Sequence, residues 1–437
     1  MANQCPPPTI YVDASVSASG NGTTWATAFK TLPEALAVAH CCPVVDTIKV
    51  AAGTYKPTQK PFSACFNQIT TSQARDITFH LPDGIVLLGG YPAGGGARNV
   101  AANTTTLSGD INGDDVVTNS GITENTENAF HVVLAVAPTT GGIGVTVDGF
   151  TITGGNANNG TNITVNGKFI YRSVGGGIFT SGGTNTLSNN TLSGNSAING
   201  GGIFTSGGDN TLSNNTLSGN SAINGGGIYT SGGNNTLSNN TLSGNSASWG
   251  GGIFTSGGNN TLSNNTLSGN SAPAGGGIYT NSGTNTLNNN TLSGNSAYYY
   301  GGGIYTSGGT NTLSNNTLSG NLTYDSYSDG GGGIYTDGGT NTLANNIFWG
   351  NTKGGSATVQ GADYFRFSGA NTFVHNLLQL AISNYTTTGS GNYDLGTGAA
   401  NNLFAQNPQF VNASNPAGPD GIHRTADDGL RLQESPA

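Results

Sequence analysis

Charged residues are scarce in this sequence, and their scarcity excludes several functions. Only 12 Lys and Arg and 21 Asp and Glu occur among 437 residues, so 8% of the chain is charged, against about 25% in an ordinary globular domain. The chain has no basic cluster, so we expect no nucleic-acid partner. No apolar run approaches the roughly 18 residues of a membrane span, so we expect no membrane-spanning segment. Low charge and 73 glycines are also typical of disorder, but the regular spacing of Ile and Leu argues against it.

Cysteine is also rare, and all four residues, Cys5, Cys41, Cys42 and Cys65, lie in the first sixth of the chain. An even number of clustered cysteines predicts disulfides and an oxidising compartment. Because Cys41 and Cys42 are adjacent, we expect each to pair with either Cys5 or Cys65, with the connectivity open. Buried free thiols are the alternative. A zinc site is disfavoured because there is no CxxC pair.

A 25-residue unit, GGGIFTSGGTNTLSNNTLSGNSAIN, begins at Gly175 and recurs with little change. The isoleucine after the glycines marks the copies at Ile178, Ile203, Ile228, Ile253, Ile278, Ile304 and Ile334. A fixed period of this size predicts a solenoid. Each copy holds three short β segments, IFT or IYT, NTL and NTL, separated by turn residues. Each segment can pair only with its equivalent one copy later, which predicts an all-β, right-handed parallel β-helix.

The repeat predicts which side chains line the core of each coil. Ile178, Leu187 and Leu192 should point inward, and the asparagines equivalent to Asn195 should form an internal ladder. That column comprises Asn195, Asn220, Asn245, Asn270, Asn295, Asn321 and Asn351. We expect irregular coils in residues 1–173, regular coils in 174–352 and irregular coils in 353–437, all in one continuous solenoid domain. A helix at Leu32–His40 should cap the N-terminal edge, with Pro33 in its first turn.

Several segments resemble secreted bacterial proteins with a right-handed parallel β-helix. They are IYVDASVSASGNGTTWATAFKTLPEALAVA, DTIKVAAGTYKPT, LLGGYPAGGGARNV, VDGFTITGGNA and the repeated GGGI. Such proteins are often attached to the cell surface through varied C-terminal anchors, the choice-of-anchor type. The repeats are also similar to those of polymorphic outer-membrane autotransporter adhesins, whose GGAI and FxxN motifs correspond to GGGI at Gly175–Ile178 and LxxN at Leu187–Asn190. The resemblance implies a pectate-lyase-like solenoid, secretion and a place at the cell surface, although Leu replaces Phe in FxxN.

The segment before each glycine triplet is the variable corner of the repeat. It grows from Ile198-Asn199 through Ser248-Trp249 to Tyr298-Tyr299-Tyr300 and then to residues 324–329. Its aromatic residues are Trp249, Tyr298, Tyr299, Tyr300, Tyr324 and Tyr327. We predict that they form a binding surface for sugars or a protein partner. The alternative is that they pack locally over the glycines.

Two further columns follow from strand alternation. If Ile178 points inward, the aromatic column that begins with Phe179 points outward. Its members are Phe179, Phe204, Tyr229, Phe254, Tyr279, Tyr305 and Tyr335. We expect it to be exposed and to stiffen the coils by self-stacking, with lateral association of rods as the alternative. Outward threonine columns that include Thr186 and Thr191 resemble those of ice-binding solenoids, although threonine also simply suits strands.

Acidic residues are the candidates for chemistry, and they lie outside the regular coils. From Ser173 to Tyr324 the only charged residue is Asp209, so the regular coils cannot support acid–base catalysis. Candidate catalytic carboxylates are Asp110, Asp114, Asp115 and Asp148, or Asp420, Asp427 and Asp428. The loops Asp110–Asp115 and Asp420–Asp428 also have the oxygen-rich, glycine-containing composition of calcium loops. We prefer the second loop as a calcium site, with solvated turn carboxylates as the alternative.

These observations favour a secreted structural or adhesive rod, at the cell surface or in an extracellular fibre. Its partner would be a cell-surface protein, a polysaccharide or further copies of the chain. No catalytic residue is assigned, and no cofactor is expected other than calcium. The alternatives are a polysaccharide lyase or glycosidase, a carbohydrate-binding β-helix and an ice-binding solenoid. Carboxylates that converge in a cleft would favour an enzyme.

Overall fold

Parallel ladders between successive coils make up most of the computed structural model. The structure describes residues 5–118, 121–123, 125–325, 330–385, 393–395, 401–412, 415–416 and 430. The chain divides into two units, Met1–Thr236 and Leu237–Ala437. In each unit most strand pairs are parallel and join equivalent residues of successive coils, so each unit is a parallel β-helix. No helix in the described part of the chain is long and apolar enough to cross a membrane.

Unit 1 begins with an edge strand that is covered on both sides. Thr9–Val12 pairs in parallel with Thr47–Ala51 on one side. On the other side the Tyr11 N–H donates to the Gly22 oxygen at 2.9 Å, and the Phe29 N–H donates to the Tyr11 oxygen at 2.9 Å. The loop at 20–29 therefore satisfies the outer hydrogen bonds of this strand, a role that the sequence had suggested for the helix alone.

The predicted helix spans Leu32–Cys41. A capping box starts it, because Glu34 reaches back to Thr31, which satisfies backbone donors of the first turn. It packs against Thr9–Val12 and against the strand Phe79–Leu81.

Two disulfides fasten this cap. Cys5 is bonded to Cys42 and Cys41 to Cys65. As expected, the adjacent cysteines bond to different partners. The second bond joins the end of the helix to the turn of a small hairpin between Phe62–Ala64 and Asn67–Gln68.

The irregular part of unit 1 also contains two 3-10 helices, Trp25–Thr27 and Ala74–Asp76. Its strands are Thr9–Val12, Thr47–Ala51, Gly53–Tyr55, Phe62–Ala64, Asn67–Gln68, Phe79–Leu81, Val86–Tyr91, Thr105–Ser108, Val116–Thr118, Gly121–Thr123, Val133–Val136, Thr146–Asp148, Thr151–Thr153, Asn156–Ala157, Asn162–Val165 and Lys168–Tyr171. The last two form an antiparallel hairpin.

The regular coils of unit 1 have the three predicted strands. They are Ile178–Ser181, Thr184–Ser188, Thr191–Ser193, Ser196–Ala197, Ile203–Ser206, Asp209–Ser213, Thr216–Ser218, Ile228–Ser231 and Asn234–Ser238. Ile178 pairs with Ile203 and Leu187 with Leu212. These side chains and Leu192 are fully buried, which confirms the predicted core. Each contributes about 1.5–3 kcal/mol through burial.

Unit 2 repeats the same arrangement. Its strands are Thr241–Ser243, Ile253–Ser256, Asn259–Ser263, Thr266–Ser268, Ser271–Ala274, Ile278–Thr280, Thr284–Asn288, Thr291–Ser293, Ser296–Tyr300, Ile304–Thr306, Thr310–Ser314, Thr317–Ser319, Leu322–Thr323, Ile334–Ala344, Ile347–Trp349, Thr352–Lys353, Tyr364–Val374, Leu377–Leu378 and Leu403–Phe404, with a 3-10 helix at Ile382–Asn384. Ile253 pairs with Ile278 and Leu262 with Leu287. The division of the chain at residues 173 and 352 stays a prediction.

Asparagine ladders connect the coils inside both units. In unit 1 the Asn195 amide donates to Asn220 Oδ1 at 3.0 Å and to the Ile152 oxygen at 3.0 Å. In unit 2 the Asn270 amide donates in the same way to Asn295 Oδ1 at 2.9 Å. The predicted column is therefore confirmed. Two more buried columns, which begin with Asn185 and Asn190, make equivalent bonds and were not predicted.

The glycine triplet is required by close approach of the coils. A Cβ atom at Gly176 would lie 2.3 Å from the Ser196 oxygen, and one at Gly177 would lie 2.6 Å from the Gly202 oxygen. Only the first glycine of this triplet, Gly175, has a left-handed backbone, at φ +64. Any side chain at the other two positions would therefore push neighbouring coils apart.

Candidate functional site

The aromatic column is buried, so the prediction that it is exposed was wrong. Its rings stack at centroid distances of 5.6 Å for Phe179–Phe204 in unit 1 and 4.8 Å for Phe254–Tyr279 in unit 2. Most members are less than one-tenth exposed, and Tyr229 is half-buried. The rings do point away from the coil core, but other segments cover them. This column therefore offers no surface for lateral association.

In unit 1 the cover is the hairpin Asn162–Val165 and Lys168–Tyr171. Its inner side chains, Ile163, Val165 and Ile170, form one apolar cluster with the first rings of the column. Its outer side chains include Phe169 and Tyr171, which are 70% and 51% exposed. Buried and exposed side chains alternate along the hairpin because successive residues of a strand face opposite sides.

In unit 2 residues of the variable corner form the cover. Trp249 packs edge-on against Tyr279, with 5.5 Å between centroids. Tyr300 packs against Tyr335 at 4.8 Å. These two residues therefore pack against buried rings of the column, although Trp249 remains 41% exposed. Whether they bind a partner or pack over the glycines stays a prediction.

The remaining tyrosines of the variable corner face outward. Tyr298, Tyr299 and Tyr324 are 55%, 43% and 58% exposed; we call these three residues the tyrosine strip. Tyr298 and Tyr299 lie on the strand Ser296–Tyr300, with 4.6 Å between their centroids and 77° between their planes. Tyr327 lies outside the described residues.

Backbone pairing fixes the position of the tyrosine strip on successive coils. Ala297 pairs in register with Thr323, and the Tyr324 N–H donates to the Ala297 oxygen at 3.0 Å. Ala297 is fully buried, so the next residue, Tyr298, must face outward. Tyr298 and Tyr324 therefore project side by side from neighbouring coils. The repeat scaffold gives these rings fixed positions.

The surroundings of the tyrosine strip are almost free of charge. No residue from Leu237 to Tyr324 is charged. The next residue, Asp325, donates its backbone N–H to the Tyr298 oxygen at 3.0 Å. On the next coil Lys353 pairs with Thr323. The strip is suited to contacts by ring stacking and neutral hydrogen bonds, and its own described side chains include no acid–base pair for catalysis.

An acidic cluster lies separately in unit 1. Carboxylate oxygens of Asp110, Asp114, Asp115 and Glu127 lie within 4.8 Å of one another. Burial raises the pKa of Asp115, and neighbouring carboxylates add to this, whereas the Asn128 amide, which donates to it at 2.9 Å, opposes it. The sequence singled out the three aspartates, but Glu127 was missed because it comes from a later turn.

The other acidic candidates are placed differently. Asp148 does not join the acidic cluster, because it forms an ion pair with Arg98 and accepts hydrogen bonds from Ser188 and Asn189. Asp420, Asp427 and Asp428 lie outside the described residues. The preferred calcium loop therefore stays a prediction.

A groove of about 600 Å³ in unit 1 has a neutral lining. It runs between the loop at Val100–Thr105 and the repeat turns at Asn189 and Asn214. Hydroxyl, amide and methyl groups line it, and no carboxylate does. This groove can hold a neutral ligand but has no general acid.

The comparison with protein families agrees with the ladders. The family model described as "Right handed beta helix region" matches residues 111–291 and 201–378, which together make up more than half of the chain. No curated protein and no solved structure matches the chain. The predicted fold class, an all-β right-handed parallel β-helix, is thereby confirmed, and the chain belongs to the right-handed β-helix family.

Proposed function

We propose that this chain is an extracellular structural or adhesive protein that makes contacts through the tyrosine strip. The observation that carries the proposal is that a β-helix with no charged residue from Leu237 to Tyr324 holds three exposed tyrosines on neighbouring coils. Exposed aromatic rings are frequent contact residues because they bury a large area with little loss of side-chain freedom. The two disulfides support an oxidising, extracellular location.

Attachment of protein-coated beads tests the proposal. Beads that carry the purified chain should adhere to a lawn of bacterial cells, and Tyr298→Ser/Tyr299→Ser/Tyr324→Ser should reduce the attached number at least tenfold. Tyr171→Ser is the matched control, because Tyr171 is similarly exposed but lies on the hairpin of unit 1. Equal attachment of the triple variant and the wild type would refute a role for the strip. Electron microscopy of the same protein distinguishes dispersed particles from fibres.

The acidic cluster supports a second proposal, that the chain binds calcium at Asp110, Asp114, Asp115 and Glu127. Four carboxylates within 4.8 Å repel one another, and a hard cation with oxygen ligands would remove that repulsion. The melting temperature of unit 1 should be higher in millimolar calcium than in a chelator. The increase should grow with the ratio of the free calcium concentration to the dissociation constant. Asp115→Asn should reduce that rise, whereas Asp46→Asn, outside the cluster, should not. An unchanged melting temperature in calcium would refute the proposal.

A further inference from the structure

The exposed aromatic residues of the variable corner are amphipathic. Trp249, Tyr298, Tyr299 and Tyr324 combine an apolar face with a polar N–H or O–H at the edge. The column beneath them also contains tyrosines, Tyr279 and Tyr305 among them, but these are buried. The exposed positions thus retain hydrogen-bonding edges, which suits a ligand that is itself apolar on its faces and polar around its rim.

The positions of the rings suit an extended ligand made of repeated units. Ala272, Ala297 and Thr323 pair in register, and each is followed by a ring, Pro273, Tyr298 or Tyr324, so three successive coils each present one ring on this face. Successive parallel strands lie about 4.8 Å apart, which is close to the length of one sugar unit in an extended polysaccharide. Tyr299 stands at 77° to Tyr298 and provides a side wall next to this row.

The charge of the protein favours some classes of extended ligand over others. Among the described residues, Asp325 follows Tyr324 in the chain, Lys353 pairs with Thr323 on the next coil, and the whole chain carries a formal net charge of −9. The net charge would repel an anionic polymer, and a partner protein would have to lose water from its charged groups on a surface that offers few charges in return. A neutral polysaccharide meets neither cost.

We propose that the tyrosine strip binds neutral polysaccharide, with sugar faces stacked on Tyr298 and Tyr324 and hydroxyl groups bonded to the ring edges. This inference rests on the proposed contact function of the strip and specifies its partner.

Native gel electrophoresis with polysaccharide cast into the gel tests the inference. The probes are hydroxyethylcellulose and galactomannan as neutral polymers and polygalacturonate as the anionic one. The wild type should be retarded in both neutral gels and not by polygalacturonate. Tyr298→Ser/Tyr324→Ser should reduce the apparent affinity at least tenfold. Tyr298→Phe/Tyr324→Phe should keep the stacking and lose only part of the affinity, and Tyr171→Ser should bind like the wild type.

The outcomes of the gel and bead experiments distinguish failure of the polysaccharide proposal from failure of the adhesion proposal. No retardation of the wild type by either neutral polymer, or equal retardation of the serine variant, would overturn the inference. If bead attachment needs the strip but the neutral gels show no binding, the contact function stands and its partner is not a neutral polysaccharide. If the gels show strip-dependent binding but beads do not attach, adhesion fails and sugar binding stands. Circular dichroism of each variant verifies the fold.

Discussion

We expect the C-terminal coils of unit 2 to lose stability as the pH rises from 5 to 8, because Asp363 is a fully buried carboxyl group. The Asn351 amide donates to Asp363 Oδ1 at 3.2 Å. One coil earlier, Asn321 donates in the same way to Asn351 Oδ1 at 3.0 Å, so Asp363 supplies the acceptor that ends this ladder. Its other oxygen accepts the Gln379 N–H at 2.8 Å.

Burial raises the pKa of Asp363 to about 7, although the hydrogen bonds from Asn351 and Gln379 oppose the rise. A folded-state pKa above the unfolded value stabilises the protein at low pH, and this contribution is lost as the pH rises towards 7. A rise of about three units from the unfolded value corresponds to about 4 kcal/mol in total, of which about 2.5 kcal/mol falls between pH 5 and pH 8.

Hydrogen exchange of peptides from residues 345–385 measures this effect, because repeat proteins open locally. Opening should become about 70-fold more favourable between pH 5 and pH 8, after correction for the intrinsic exchange rate. Asp363→Asn should flatten this dependence. The variant should also be less stable at pH 5, since one amide cannot accept from both Asn351 and Gln379. Asp337→Asn, at a partly exposed aspartate of the preceding coil, should leave the dependence intact. A wild type with no such dependence would refute the reasoning.

Three further predictions concern the coils. Burial lowers the pKa of His131 to about 4; its folded pKa lies below the unfolded one, so this histidine should account for a loss of about 3 kcal/mol as the pH falls from 7 to 4, measured by chemical denaturation of the wild type and His131→Asn at each pH. His80, whose pKa burial also lowers, adds to the loss in both proteins. Deletion of residues 203–227, one whole 25-residue period, should keep the far-ultraviolet circular dichroism and cooperative melting, because the joined coils are equivalent, whereas deletion of 203–215 should abolish both. Asn270→Ala should destabilise unit 2 by about 3 kcal/mol or more in urea denaturation, because it leaves buried partners such as the Leu242 oxygen unpaired, while Thr261→Ala, at an exposed site, should change it by less than about 0.5 kcal/mol.

Strand pairing and the apolar core could be predicted because both follow from the period of the repeat. An isoleucine or leucine that recurs every 25 residues must meet its own copy in the next coil, and Ile178 and Ile203 do so. The column of Asn195 was predicted from its recurrence in every copy, although Asn190 stands at the same distance after the buried Leu187 and carries the same periodic signal.

Of the other two asparagine columns, that of Asn185 follows from strand alternation, because Asn185 comes two positions before the buried Leu187 in the strand Thr184–Ser188. The burial of Asn190 rather than Asn189 does not follow from alternation. Asn189 takes a left-handed conformation at φ 54, which bends the chain between two strands and interrupts the alternation. Asn189 is therefore exposed, and the following Asn190 is buried. Two identical neighbours in the sequence have opposite environments, and only the backbone turn distinguishes them.

The cover over the aromatic column was missed for a different reason. Alternation correctly placed Phe179 on the outer side of its strand, but it does not tell whether another segment lies there. The hairpin that covers Phe179 comes from residues 162–171, which do not belong to the repeat. Contacts between segments of unlike sequence carry no periodic signal. Glu127 joined the acidic cluster for the same reason.

The same physical cause gives His131 in unit 1 and Asp363 in unit 2 opposite responses to pH. Burial disfavours the charged form of any group, so it lowers the pKa of His131 in unit 1 and raises that of Asp363 in unit 2. At low pH the buried imidazole of His131 must become charged, and at high pH the buried carboxyl group of Asp363 must become charged. Through these two groups, acidification weakens the coils around His131 and strengthens those around Asp363, and alkalinisation does the reverse. A single substitution, Asp363→Asn, should remove only the alkaline half of this pattern, which separates it from any general effect of net charge.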